Sequence, residues 1–117
     1  MITKDNLKSL LITLNFTQDE QIFSKVINDT CLQVNFAQER LIYPPSITIH
    51  EQQTCNFKAP ENFVVFECVH RLLEKGYQPE HNELGPRWQV GHGASGGRAD
   101  IMLWDYANTP FLIIECK

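Results

Sequence analysis

Gly97-Arg98-Ala99-Asp100-Ile101-Met102-Leu103-Trp104, then a short break, then Phe111-Leu112-Ile113-Ile114-Glu115-Cys116-Lys117: this stretch decides how the chain is read. An acidic residue enters one apolar strand, and a second apolar strand ends in an acid and a lysine two positions apart. Strand side chains alternate faces with a period of two, so Glu115 and Lys117 share a face. A hairpin turning at Ala107-Asn108 that sets Trp104 against Phe111 also sets Asp100 against Glu115. Their Cβ atoms would then lie roughly 4.5–5.5 Å apart. Two facing carboxylates repel, and a cation that prefers oxygen ligands relieves the repulsion. The pattern predicts a metal site.

Taken singly, Asp100, Glu115 and Lys117 would serve as the polar ends of two apolar strands; their combination points to chemistry. Phosphodiester hydrolysis needs a metal to polarise phosphate oxygens, a water to attack, and a cation near the developing charge. Asp100 and Glu115 would hold Mg²⁺, or Mn²⁺ in its place, aided by the backbone carbonyl of Cys116. Lys117 would orient the water or stabilise the charge, and Glu61 would complete the metal shell or position the water.

Working outward, Pro60 opens a helix running to about Lys75 and closed by Gly76, with proline in the first turn and glycine just past the end. A helical wheel centres its buried face on Val65, Cys68, Val69 and Leu72, puts Glu61 in the same sector and turns Glu67 nearly opposite. Glu67 is the rival helix carboxylate, with Arg71 as its ordinary surface partner. Arg87 to Val90 suggests a strand, leading through glycine-rich residues 91–97 into the Asp100 strand. That loop lacks the Gly-Lys-Ser/Thr ending of a phosphate cradle and precedes a strand, so it reads as a connection in which Arg98 either touches DNA phosphate or is an ordinary exposed arginine. His92 reads as a solvated loop histidine, and Trp88 and Trp104 as core or edge residues rather than base-stacking platforms.

Upstream, Leu7, Leu10, Leu11 and Leu14 mark one face of a helix from about Thr3 to Leu14, ended by Asn15. Candidate strands follow at Ile22–Val26, Cys31–Phe36 and Leu41–Tyr43, with a turn at Asn28-Asp29-Thr30. After Pro44-Pro45, Ile47 and Ile49 suggest an edge strand. The expected fold class is α/β, with a helix packed on a mixed sheet. This core would be preceded by a helix and a small β-meander. Two regions are expected: residues 1–50 with no nameable chemistry, and 51–117 with the helix and the acid-bearing hairpin.

The chain has 117 residues, 43% hydrophobic and 21% charged, enough for one domain with its own core. It contains no apolar run of membrane-spanning length, and Asp5, Asn6 and Lys8 interrupt any signal-like start; a cytoplasmic protein is expected. Cys31, Cys55, Cys68 and Cys116 have no CxxC spacing and read as buried thiols rather than a zinc site. A net charge of −4 argues against a domain devoted to gripping nucleic acid, so any DNA contact must be local, metal-mediated or supplied elsewhere.

Asp100…Glu115-Cys116-Lys117 resembles the PD-(D/E)xK nuclease motif, with alanine in place of its proline. Pro60-Glu61, the helix ending in Gly76-Tyr77, Gly97 to Ile101 and Pro110 to Lys117 together resemble the amino-terminal nuclease domain of type I restriction enzyme R subunits and related fused restriction–modification (nuclease–methylase) proteins. The resemblance spans about Pro60 to Lys117 and leaves residues 1–50 uncovered. It implies that residues 51–117 form a restriction-endonuclease-like nuclease core, with catalytic roles for Asp100, Glu115 and Lys117, and less securely for Glu61. It also implies Mg²⁺-dependent cleavage of duplex DNA leaving 5′-phosphates, with partner methylase, helicase or specificity domains or subunits. Family members continue past the lysine, so a fragment truncated after the catalytic strand, inactive alone, is expected. Two other readings stay open: a silent assembly or docking module of such an enzyme, and a structure-specific DNA repair nuclease.

Overall fold

The computed structural model describes residues 2–50, 52–85, 87–88, 97–98, 101–104 and 110–114. Helix α1 (Lys4–Thr13) starts where the Asn6 carboxamide accepts the Thr3 backbone N–H at 2.8 Å. Leu7 and Leu11 are buried on its inner face, with Leu10 and Leu14 packed against the core. Asn15 takes a left-handed φ of 70°, and Phe16 N–H and Asn15 N–H bond back to Leu11 and Ile12 carbonyls at 2.9 and 3.0 Å. This is a Schellman ending.

Four antiparallel strands follow in chain order: β1 (Thr17–Asp19), β2 (Ile22–Ile27), β3 (Thr30–Asn35) and β4 (Arg40–Ile42). The β2–β3 turn forms as expected: Asn28 and Asp29 both take positive φ, 48° and 67°, between the paired residues Ile27 and Thr30. In β3, Thr30, Leu32 and Val34 point inward and Cys31 is exposed, so the expectation of a buried thiol fails there. Strand alternation decided its side; Cys55 is buried.

The second sheet is mixed, in the order β10 (Pro110–Ile114), β9 (Ile101–Trp104), β6 (Asn82–Leu84), β5 (Thr48–Ile49). Strands β5 and β6 run parallel, whereas β6–β9 and β9–β10 are antiparallel. Leu84, Ile101 and Leu103 face the core from this sheet. Strands β7 (Arg87–Trp88) and β8 (Gly97–Arg98) make a separate two-stranded ribbon.

Helix α2 (Pro60–Glu74) takes the expected span. Gly76 at φ +100° lets Tyr77 N–H and Gly76 N–H reach the Leu72 and Leu73 carbonyls, both at 3.1 Å. A Cβ at Gly76 would meet nothing within 4 Å, so substitution there is opposed by backbone conformation alone. Gly76→Ala is therefore expected to cost about 1 kcal/mol in urea unfolding, and Gly76→Asn less, since asparagine tolerates this region better.

The buried arc of α2 covers more than half of its circumference and is centred well away from the expected sector. Phe63, Phe66, His70 and Leu73 are buried as well as Val65, Val69 and Leu72. Phe66 stacks near Phe16 and Tyr43, with ring centroids at 6.1 and 5.4 Å, and Phe63 lies 5.1 Å from Phe57. One buried cluster therefore draws on α1, the meander, α2 and the mixed sheet. Among the described residues no helix is long and apolar enough to cross a membrane.

Candidate functional site

The β9–β10 hairpin carries the expected register next to the site. Ile101 pairs with Ile114, Met102 with Ile113 and Leu103 with Leu112. At the turn end the expected Trp104–Phe111 pair is replaced by Trp104–Pro110, with an irregularity between Pro110 and Leu112. Proline has no N–H to give the ladder, which suits it to such a shift. Asp100, Glu115, Cys116 and Lys117 lie outside the described residues, as do His92 and the loop residues 91–96. Arg98 ends β8, in register with Arg87.

The helix carboxylates reverse their expected orientations. Glu61, in the first turn of α2, is exposed, whereas Glu67 is buried. The cause is the aromatic face made by Phe63 and Phe66, which rotates the helix toward the meander and carries Glu67 to the edge of the buried arc. Arg71 Nε donates to Glu67 Oε1 at 2.5 Å, an i,i+4 pair that engages this carboxylate within the helix.

A third carboxylate, Glu83 on β6, carries no signal in the sequence. Its Oε1 lies 2.5 Å from His50 Nε2, and Trp104 Nε1 donates to its Oε2 at 2.6 Å. Glu83 pairs with Met102 on β9 and Thr48 on β5, and its neighbours Asn82 and Leu84 are buried in the core. By alternation it projects from the face of the sheet away from that core. Asn-Glu-Leu gives no strand signal, and its partners are distant in sequence, so nothing local would have revealed it. Trp104 thus sits at a sheet position with its indole N–H satisfied, as expected for a structural tryptophan.

A separate polar cluster ties β2 to α2. Lys25 Nζ donates to the Leu14 carbonyl at 2.6 Å, to His70 Nε2 at 2.9 Å and to a Glu74 carboxylate oxygen at 3.1 Å. An ammonium only donates, so Nε2 of His70 accepts and the ring proton sits on Nδ1. Burial first, and then the Lys25 charge, lower the pKa of His70; the Glu74 and Glu67 carboxylates act in the opposite sense. The hydrogen bond from Lys25 holds Glu74 below the usual carboxylate range. This arrangement locks the fold and leaves a neutral imidazole in the core.

Among the described residues no three His, Cys, Asp or Glu side chains gather closely enough to hold a metal ion, and those include His50, Cys55, Cys68 and His70. A scan of protein-family models and searches of curated proteins and of solved structures each returned no match to this chain.

Proposed function

We propose that the chain is the nuclease core of a Mg²⁺-dependent DNA endonuclease of a restriction–modification system. The observation that carries this reading is the Ile101–Ile114 pair. If that register continues by one residue, Asp100 would stand against Glu115, and strand alternation would turn both toward the Glu83 side of the sheet. The chain order α2, β6, β9, β10, a helix followed by an antiparallel meander, also suits the core that the motif resemblance implies.

Two carboxylates and a backbone carbonyl are hard oxygen donors, the set Mg²⁺ and Mn²⁺ prefer. When bound, the ion supplies Lewis acidity at a phosphate oxygen and lowers the pKa of water. In this reading Asp100, Glu115 and the Cys116 carbonyl hold the ion. The Lys117 ammonium, on the face of Glu115, offsets negative charge as it develops on the phosphate. Glu61 remains the preferred helix carboxylate for a new reason: it is solvent-accessible at the start of α2, whereas Glu67 is taken by Arg71.

The test is calorimetric titration of Mn²⁺ into the 117-residue chain and into a chain extended past Lys117. Saturable binding in the low millimolar range or tighter is expected, abolished by Asp100→Ala or Glu115→Ala. Absence of binding in both chains sinks the catalytic reading in favour of a silent assembly module.

A further inference from the structure

Two adjoining depressions, about 470 and 330 Å³, share Lys4 at the amino end of α1. Together they bring in Lys8, Arg40 and Lys58, with Glu39 and Asp5 as the acidic members. Four of the ten lysines and arginines thus face two of the fourteen acidic residues, and the rest of the chain carries six against twelve. The charge balance of the groove is the inverse of that of its surroundings. A locally basic groove on an otherwise acidic chain offers a polyanion a place to sit.

The groove is also held in shape. Arg40 forms a backbone bridge with Asn56, and the Asn56 side chain accepts the Lys58 backbone N–H at 2.9 Å. Asn62, buried in the first turn of α2, donates to the Asn56 carbonyl at 3.0 Å, so the backbone under both cations is fixed. The Lys8 ammonium lies 5.0 Å from the Phe36 ring centroid, a cation–π contact between two lining residues. Lys4 pairs with Glu39. The chain that leaves the mixed sheet through β5, at the end where Ile101 and Ile114 meet, crosses the groove at Asn56 and Lys58 before entering α2.

We propose that this groove binds the phosphate backbone of duplex DNA, giving the amino-terminal helix and meander the task of holding substrate for the hairpin site. The identity of the polyanion rests on the nuclease reading. The grip argued here comes from the lysine and arginine charges on phosphate, so it is expected to be largely independent of sequence.

Anisotropy of a fluorescent duplex of about 20 base pairs, titrated with the chain in EDTA at low salt, tests this without any cleavage. Lys58→Gln and Arg40→Gln are each expected to weaken binding about 3- to 10-fold and to lower the slope of log K against log salt by about 0.9. Glu39→Gln, which frees Lys4, is expected to tighten binding, and Lys75→Gln, exposed beyond the end of α2, to leave it unchanged. Salt-independent or absent binding by the native chain overturns the proposal. So do groove variants that behave like Lys75→Gln, and equal competition by polyglutamate, which would mark an acidic protein as the partner. Mn²⁺ titration of the same samples separates the two readings: lost metal binding with intact DNA binding fails only the nuclease site, and the reverse fails only the groove.

Discussion

Replacing Phe66 with alanine is expected to remove about 3–5 kcal/mol of stability, a large share of the 5–15 kcal/mol typical of a small domain. Phe66 is 2% exposed and is where three parts of the chain converge. Its ring meets Phe16, which follows α1, and Tyr43, which follows β4, while its backbone belongs to α2. Truncation leaves a cavity among groups fixed by separate elements, which cannot collapse into it cheaply. Ile12→Ala is the control: Ile12 is 59% exposed on α1 and should shift the urea midpoint by no more than about 0.5 kcal/mol equivalent. Equal small shifts for both variants would refute Phe66 as the junction.

Lys25→Met should cost about 2–4 kcal/mol, because three acceptors lose their donor at once. The Leu14 carbonyl and the His70 ring lie where water has little access, and the Lys25 side chain itself is only 14% exposed. The pH profile gives an independent readout. An unfolded histidine takes up a proton near pH 6.5, whereas the folded His70, with its lowered pKa, resists protonation. The unfolded state then binds more protons, so stability is complete above about pH 6.5 and falls as pH drops toward the folded pKa. Glu74, held below the carboxylate range by Lys25, adds a further loss at lower pH as its folded form is finally protonated. His70→Gln should remove the upper part of this decline. Lys25→Met should make that part shallower, since one of the two main causes of the His70 shift is gone while burial remains. Urea unfolding at about pH 7.5 and 5.5 measures both, and unchanged slopes in both variants would refute the assignment.

Much of the fold was legible because its signals are local. Proline at the start and glycine past the end bounded α2, the leucine spacing marked α1, and Asn28-Asp29 marked the tightest turn. Strand β6 was not legible: Asn82, Glu83 and Leu84 have weak strand preference, and pairing with β5 and β9 on both sides holds them in the sheet. The facing of α2 is not legible in the sequence for a related reason. A wheel weighs residues along one helix, but which side lies deepest, when apolar residues spread over more than half of the circumference, depends on where Phe16, Tyr43 and Phe57 arrive from.

By itself the sequence determined the hairpin register beside Ile101 and Ile114, because two apolar strands of fixed alternation around a short connection admit few pairings. Only the tertiary structure decided which helix glutamate meets solvent, which carboxylate joins His50 and Trp104, and where the scattered cations collect. Those outcomes depend on contacts between residues far apart in the chain, and burial and charge grouping are properties of the packed surface rather than of any one segment.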